Sequence, residues 1–295
     1  MKIGMTLPTM VPGFDRALLL EWCQRVEAGP WHSLAAGERI AFPNTEILVT
    51  LAAAAAVTGR VRIFPTVVVL PLHSAVVVAK QLATLDVMSS GRLSVGVGVG
   101  GREEDYRAVG APFERRLHRL EAQVEIMRAT WRGAPPSEGA TPVGPAPLQS
   151  SPEILAGSMQ EPSIRRAARW ADGLCGFSLG PDPDEVERCF DVARASWSAA
   201  GREAPPRLVT SCWFSLGATA RARMDAYVER YLGVFGPDIA KFLARQCRTT
   251  SADALREVAR RTAAAGGDEL VLVPTTSDPA EVERAADVLA GIAQR

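Results

Sequence analysis

The chain has 295 residues, with 33 Lys+Arg against 33 Asp+Glu, three His, five Cys and 47% apolar residues. About 75% of the unfolded surface of a chain this long can be buried, so its core needs neither disulfides nor a structural metal. A net charge of zero, with no basic run longer than a pair, argues against nucleic acid or an anionic membrane as a partner.

In chain order, short β-type runs alternate with longer helical patterns. A strand pattern over Lys2–Leu7 leads to a helix over Asp15–Ala28, where Phe14, Leu18, Trp22 and Val26 make one apolar stripe, Asp15 caps and Gly29-Pro30 stops. Ser33–Ala36 precedes a helix over Thr45–Thr58, and Val61–Val69 precedes Ala75–Met88. The run Val67-Val68-Val69-Leu70 is apolar and β-branched throughout, as a parallel strand covered on both faces should be. Leu93–Val97 is followed by a helix over Arg115–Trp131, Glu153–Ala156 by Ser163–Ala171, and Gly173–Phe177 by Pro183–Ala200. Arg207–Phe214 opens a long helical tract, Thr219–Ala265, and Glu269–Val273 leads into Pro279–Ala293. Strand then helix eight times over predicts an α/β fold of the (β/α)8 TIM-barrel type.

Two places break the rhythm. Residues 134–152, rich in Pro and Gly, read as a long surface loop, and the 215–266 segment reads as extra helices inserted at the barrel mouth. Ile47 to Val57, the most apolar stretch, is far shorter than the roughly 20 residues a membrane-spanning helix needs. The amino terminus passes straight into a strand pattern without a secretory leader, so a cytoplasmic location is expected. The five cysteines form no C-x-x-C pair, which fits a reduced compartment.

Barrel sites lie on loops at the carboxyl ends of the strands, which narrows the candidates. Gly96-Val97-Gly98-Val99-Gly100-Gly101 formally contains G-x-G-x-x-G. A dinucleotide fingerprint needs an acid at the end of a second strand, and the nearest acid at that distance, Glu121, sits inside a helix pattern. The glycines fit either a tight barrel turn or a cofactor lying against the backbone. Gly157-Ser158-Met159-Gln160 links a strand to a helix with Pro162 in its first turn, an arrangement that suits an anion as well as it suits an ordinary turn. Glu38-Arg39 offers either an acid–base group or a structural ion pair, whereas Glu103-Glu104-Asp105 reads as a solvated face. The three histidines are too scattered for a metal site, Lys80 is in the middle of a helix, and no G-x-S-x-G elbow is present. Cofactor chemistry is left.

The text Leu51 to Ile63, Val69-Leu70-Pro71-Leu72-His73, Ala79 to Asp86, Ser90-Gly91-Arg92-Leu93 and Gly96 to Gly101 resembles the luciferase-like flavin and deazaflavin oxidoreductases. Arg169-Trp170-Ala171-Asp172-Gly173 and Ala265 to Pro274 are similar to later landmarks of that family. The resemblance implies coenzyme F420, or alternatively FMN, standing at the barrel mouth beside a bulge in the third strand that carries a non-prolyl cis peptide, here around Thr66, Val67 and Val68. It further implies that Gly98, Gly100 and Gly101 pass close to the cofactor and that Gly157, Ser158, Met159 and Gln160 hold its phosphate. Where many deazaflavin dehydrogenases of the family carry an Asp-His pair, this chain reads Ala36-Gly37-Glu38-Arg39, so Glu38 becomes the candidate catalytic residue. Thr9, Arg39 and Trp213, together with Phe214, are the expected substrate contacts. Hydride exchange between the deazaflavin and a small organic substrate is the leading expectation. An FMN-dependent two-component monooxygenase and a non-catalytic flavin-binding barrel are its rivals. The resemblance also implies a homodimer and a flavin or F420 reductase as supplier of reduced cofactor.

Overall fold

A computed structural model describes residues 1–291, so the last two residues of the helix expected over Pro279–Ala293 lie outside it. The strands are β1 (Lys2–Thr6), β2 (Ser33–Ala36), β3 (Arg62–Pro65), β4 (Val68–Val69), β5 (Val95–Gly98), β6 (Ile154–Ala156), β7 (Gly173–Phe177), β8 (Arg207–Phe214) and β9 (Glu269–Pro274). They pair in the order β3-β2-β1-β9-β8-β7-β6-β5-β4, all in parallel. The single run expected over Val61–Val69 is two pieces, β3 and β4, parted at a cis peptide between Thr66 and Val67. A bridge between Ile63 and Leu93 brings the two ends of the sheet together. Counting β3 and β4 as one barrel strand, the fold is the expected (β/α)8 barrel.

Alternation along the strands divides the core in two. Ala35, Phe64, Leu155, Cys175, Val209 and Val271 point inward and fill the barrel. Their neighbours Leu34, Ile63, Ile154, Leu174, Leu208 and Leu270 point outward and pack under the helices. The amino-terminal end of the barrel is closed by charge: Arg207 pairs with both Glu153 and the fully buried Glu269, and Ser33 donates to Glu269. A Cβ on Gly4 would fall 2.1 Å from the Ser33 hydroxyl, so only glycine lets β1 pass this plug.

The surrounding helices are α1 (Arg16–Ala28), α2 (Ile47–Val57), α3 (Ala75–Met88), α4 (Glu103–Val109), α5 (Arg116–Trp131), α6 (Glu161–Ala167), α7 (Pro183–Ala199), α8 (Ala220–Leu232), α9 (Pro237–Gln246), α10 (Ala252–Ala264) and α11 (Glu281–Leu289). Asp15 caps α1 as its position implies, its Oδ1 accepting from the Leu18 N–H at 2.9 Å. Helix α4 occupies a stretch read as loop and stops at Gly110, whose φ of 69° is left-handed. The long tract after β8 is broken at Gly236-Pro237 and again after Gln246. Of its pieces, α10 packs between α7 and α11 as an ordinary barrel helix. Helix α8 is the one that reaches over the mouth, through Tyr227, Tyr231 and Leu232, with α9 packed against it. The 134–152 loop is anchored by Gln149, whose side-chain amide donates to Asp86 at 2.6 Å and to the Leu93 carbonyl at 2.8 Å. Among the described residues no helix is long and apolar enough to cross a membrane.

Candidate functional site

The carboxyl ends of the strands surround a cavity of about 620 Å³. One part of its wall is bare backbone, contributed by Gly37, Gly100, Gly101 and Gly157. Another part is aromatic and apolar: Phe177 and Trp213 from the strands, and Tyr227, Tyr231 and Leu232 from α8. Trp213 is the hub, with edge-on contacts to Phe177 (4.8 Å between centroids), Tyr231 (5.4 Å) and Tyr227 (5.6 Å).

Val67 explains much of the glycine pattern. A Cβ on Gly96, Gly98 or Gly157 would lie 3.2, 2.8 or 2.7 Å from a Val67 methyl, so these three glycines make the slot that receives that side chain. Gly98 therefore serves packing and does not line the cavity, contrary to its expected place beside the cofactor. Gly101 differs: a Cβ there would meet nothing within 4 Å, and the residue borders the cavity.

Of the residues singled out in the sequence, Thr9, Glu38, Thr66, Val67, Gly100, Gly101, Gly157, Ser158, Met159, Gln160 and Trp213 border this one cavity. Val68 does not, because it is fully buried in the outer core, on the opposite side of the strand from Val67. Phe214 follows the same rule: Trp213 faces the mouth, so its neighbour points outward into the core and cannot touch substrate. Arg39 is also displaced from its expected role as a substrate contact. Its guanidinium is held by Glu104 at 2.6 Å and Asp105 at 3.1 Å, outside the cavity lining. The acidic triplet is accordingly not a uniform solvated face. Asp105 is buried, and its second oxygen caps the Ile40 and Ala41 N–H groups at 3.2 and 2.6 Å.

Glu38 and Arg39 each find a charged partner, but not one another. The Glu38 side chain is 2% exposed. One of its oxygens accepts from the Val69 N–H at 2.6 Å, and the other faces His73 Nε2 at 2.9 Å. A histidine thus stands next to the end of β2 after all, supplied from the turn behind β4. Burial disfavours the imidazolium, but the hydrogen bond and charge of Glu38, helped by Glu46, outweigh it and raise the His73 pKa. The sequence offered no signal for the pair, because the two residues lie 35 positions apart and meet only through the strand pairing.

Two further side chains complete the site. Thr6 borders the cavity, and its hydroxyl is buried without a partner. The Cys175 thiol, also at the cavity floor, is pushed up to about 12, first by burial and then by the charge of Glu269. It stays a thiol at neutral pH and is no nucleophile. Among the described residues no group of His, Cys, Asp and Glu could hold a metal ion.

A parallel barrel with a deep cavity at the carboxyl ends of its strands is the arrangement in which barrel enzymes bind their ligands. The chain belongs to the luciferase-like monooxygenase family, whose model matches residues 1–290. It is 36% identical over 211 residues to an uncharacterized protein of Mycobacterium tuberculosis, covering 62% of this chain and 73% of that one. In fold it is similar to an F420-dependent secondary alcohol dehydrogenase solved with an F420-acetone adduct, with a TM-score of 0.77 at 17% identity over 99% of this chain and 98% of that one. It is also similar to the oxygenating constituent of 3,6-diketocamphane monooxygenase from the CAM plasmid of Pseudomonas putida, solved with FMN. There the TM-score is 0.72 at 18% identity, over 99% of this chain and 97% of that one.

Proposed function

We propose that the protein is an oxidoreductase that binds a flavin-type cofactor, coenzyme F420 in preference to FMN, and exchanges hydride with a small organic substrate. The observation that carries this reading is the mixed lining of the cavity. Glycine backbone at Gly37, Gly100, Gly101 and Gly157 leaves room for a flat ring system, and Phe177, Trp213, Tyr227 and Tyr231 line the same cavity with aromatic surface. The cavity volume of about 620 Å³ lies within the range expected for a cofactor site. Family membership and two fold neighbours, one solved with an F420 adduct and one with FMN, support the cofactor class. When bound, such a ring supplies the hydride or oxygen chemistry itself, and the protein supplies binding and orientation.

In this reading Thr66, Val67, Gly100 and Gly101 hold the ring, and the Gly157–Gln160 loop receives the phosphate; the Met159 N–H meets no acceptor among the described residues. Glu38 is the acid–base group at the cavity edge, holding a proton between its Oε1 and His73 Nε2. Helix α8 closes the aromatic side against water.

The test is turnover without the native substrate. Under anaerobic conditions the protein should catalyse saturable oxidation of reduced coenzyme F420 by a quinone, each quinone taking a hydride from the cofactor and a proton from solvent. In a separate aerobic assay, oxygen consumption with reduced FMN that depends on the protein and exceeds the spontaneous oxidation of free FMN, with no F420 oxidation in the anaerobic one, would assign the monooxygenase alternative. Failure of both would overturn the catalytic reading and leave a binding barrel.

A further inference from the structure

The chain carries 33 Lys+Arg, only three of them lysines, and most of the arginines near the mouth are already committed. Arg39 is neutralised by Glu104 and Asp105. Arg102 is not. It is the only Lys, Arg or His among the cavity-lining residues, and it has no ion-pair partner among the described residues. Its guanidinium lies over the Tyr231 ring at 4.5 Å and beside the Phe235 ring at 5.7 Å, and Nη2 donates a 3.4 Å bond to the Tyr231 carbonyl. Stacking fixes the plane of the group, and Nε is buried without an acceptor. The one acid on the cavity wall, Glu38, has both oxygens engaged by Val69 and His73. An oriented guanidinium without a counter-charge therefore borders a chamber also lined by Trp213, Tyr227 and Tyr231.

We propose that Arg102 selects the substrate: it receives the carboxylate, or a comparable oxyanion, of a molecule whose apolar body packs against Trp213, Tyr227 and Tyr231. A buried donor left unpaired by a neutral analogue is the physical basis of such discrimination. The proposal deepens the reading above, in which this chamber holds the substrate beside a cofactor ring. The same guanidinium chemistry could serve an anionic group on the cofactor itself, so the experiment separates the two sources.

Hydrocinnamate and its neutral amide, hydrocinnamide, are titrated calorimetrically into the wild type, Arg102→Gln and Arg102→Lys. In parallel, FMN is compared with riboflavin, and coenzyme F420 with its tail-free deazaflavin. The wild type should prefer hydrocinnamate by about tenfold or more, Arg102→Gln should abolish the preference, and Arg102→Lys should keep part of it. The ratios FMN to riboflavin and F420 to tail-free deazaflavin should change by less than about twofold in Arg102→Gln, a difference too small for a lost charge-assisted bond. Equal binding of the two probes by the wild type, binding of neither, or a preference that survives Arg102→Gln would overturn the assignment. Loss of the cofactor ratios with the probe preference intact would overturn it in favour of the cofactor's anionic group. Absence of all flavin and deazaflavin binding would refute the cofactor reading separately, since the probe comparison does not depend on it.

Discussion

Glu38→Gln is the most informative single change in the Glu38–His73 pair. The carboxylate is 2% exposed and accepts two bonds, at 2.6 Å from Val69 N and 2.9 Å from His73. The glutamine carbonyl can keep the Val69 bond, so what is lost is the charge that stabilises the imidazolium of His73. A hydrogen bond to a charged group contributes about 1.5–3 kcal/mol, which is the expected destabilisation where His73 is protonated. The sign follows from the raised His73 pKa. Its contribution is fully present below the unfolded-state value of about 6.5 and is lost as pH rises through the folded-state value. Urea unfolding should therefore show the larger penalty near pH 5, shrinking to about 1 kcal/mol near pH 9, where only an ordinary hydrogen bond differs. An equal penalty at both pH values, or a larger one at pH 9, would refute the charged pair.

Three further outcomes follow. Gly157→Ala places a methyl 2.7 Å from Val67 Cγ1 and 3.2 Å from the Val97 carbonyl, and should cost about 1–3 kcal/mol in thermal unfolding. Val67→Ala in the same chain should recover part of that cost, and strict additivity would contradict the slot. Arg207→Leu leaves Glu269 buried without its partner at the closed end of the barrel, and a loss of about 3–5 kcal/mol is expected in denaturant unfolding. With all five cysteines buried, and the Cys175 and Cys212 thiols pushed up to about 12, a thiol reagent at pH 8 should label the native protein only as fast as it unfolds. Prompt labelling would show that the cavity floor is open.

The barrel was legible because strand and helix periods alternate through the whole chain. Boundaries were less so. The division of the third strand at Thr66-Val67 leaves no mark in its apolar pattern, and only the family resemblance pointed to it. The cavity residues could be listed from the strand ends, yet two misplacements, Val68 and Phe214, share one cause, that local text does not say which way a side chain points. Alternation separates Trp213 from Phe214 and Val67 from Val68, and a one-residue error in register inverts both choices. Glycines that receive Val67 look the same in sequence as glycines that border a cavity. His73 and Glu38, like Arg39 and Asp105, meet through the closed barrel across 35 and 66 positions, and no local pattern encodes such pairs. Arg102 was hidden for the same reason, as one more charge in the Arg102-Glu103-Glu104-Asp105 run.

The most direct test of the central claim is a binding titration of oxidised and reduced FMN and of coenzyme F420 against the wild type and Ser158→Glu. Ser158 borders the cavity on the loop assigned to the phosphate, so a carboxylate there would repel it. Saturable binding with F420 favoured is expected, and its loss in Ser158→Glu while the thermal unfolding profile is unchanged. Absence of binding by either cofactor, or binding indifferent to the substitution, would contradict it.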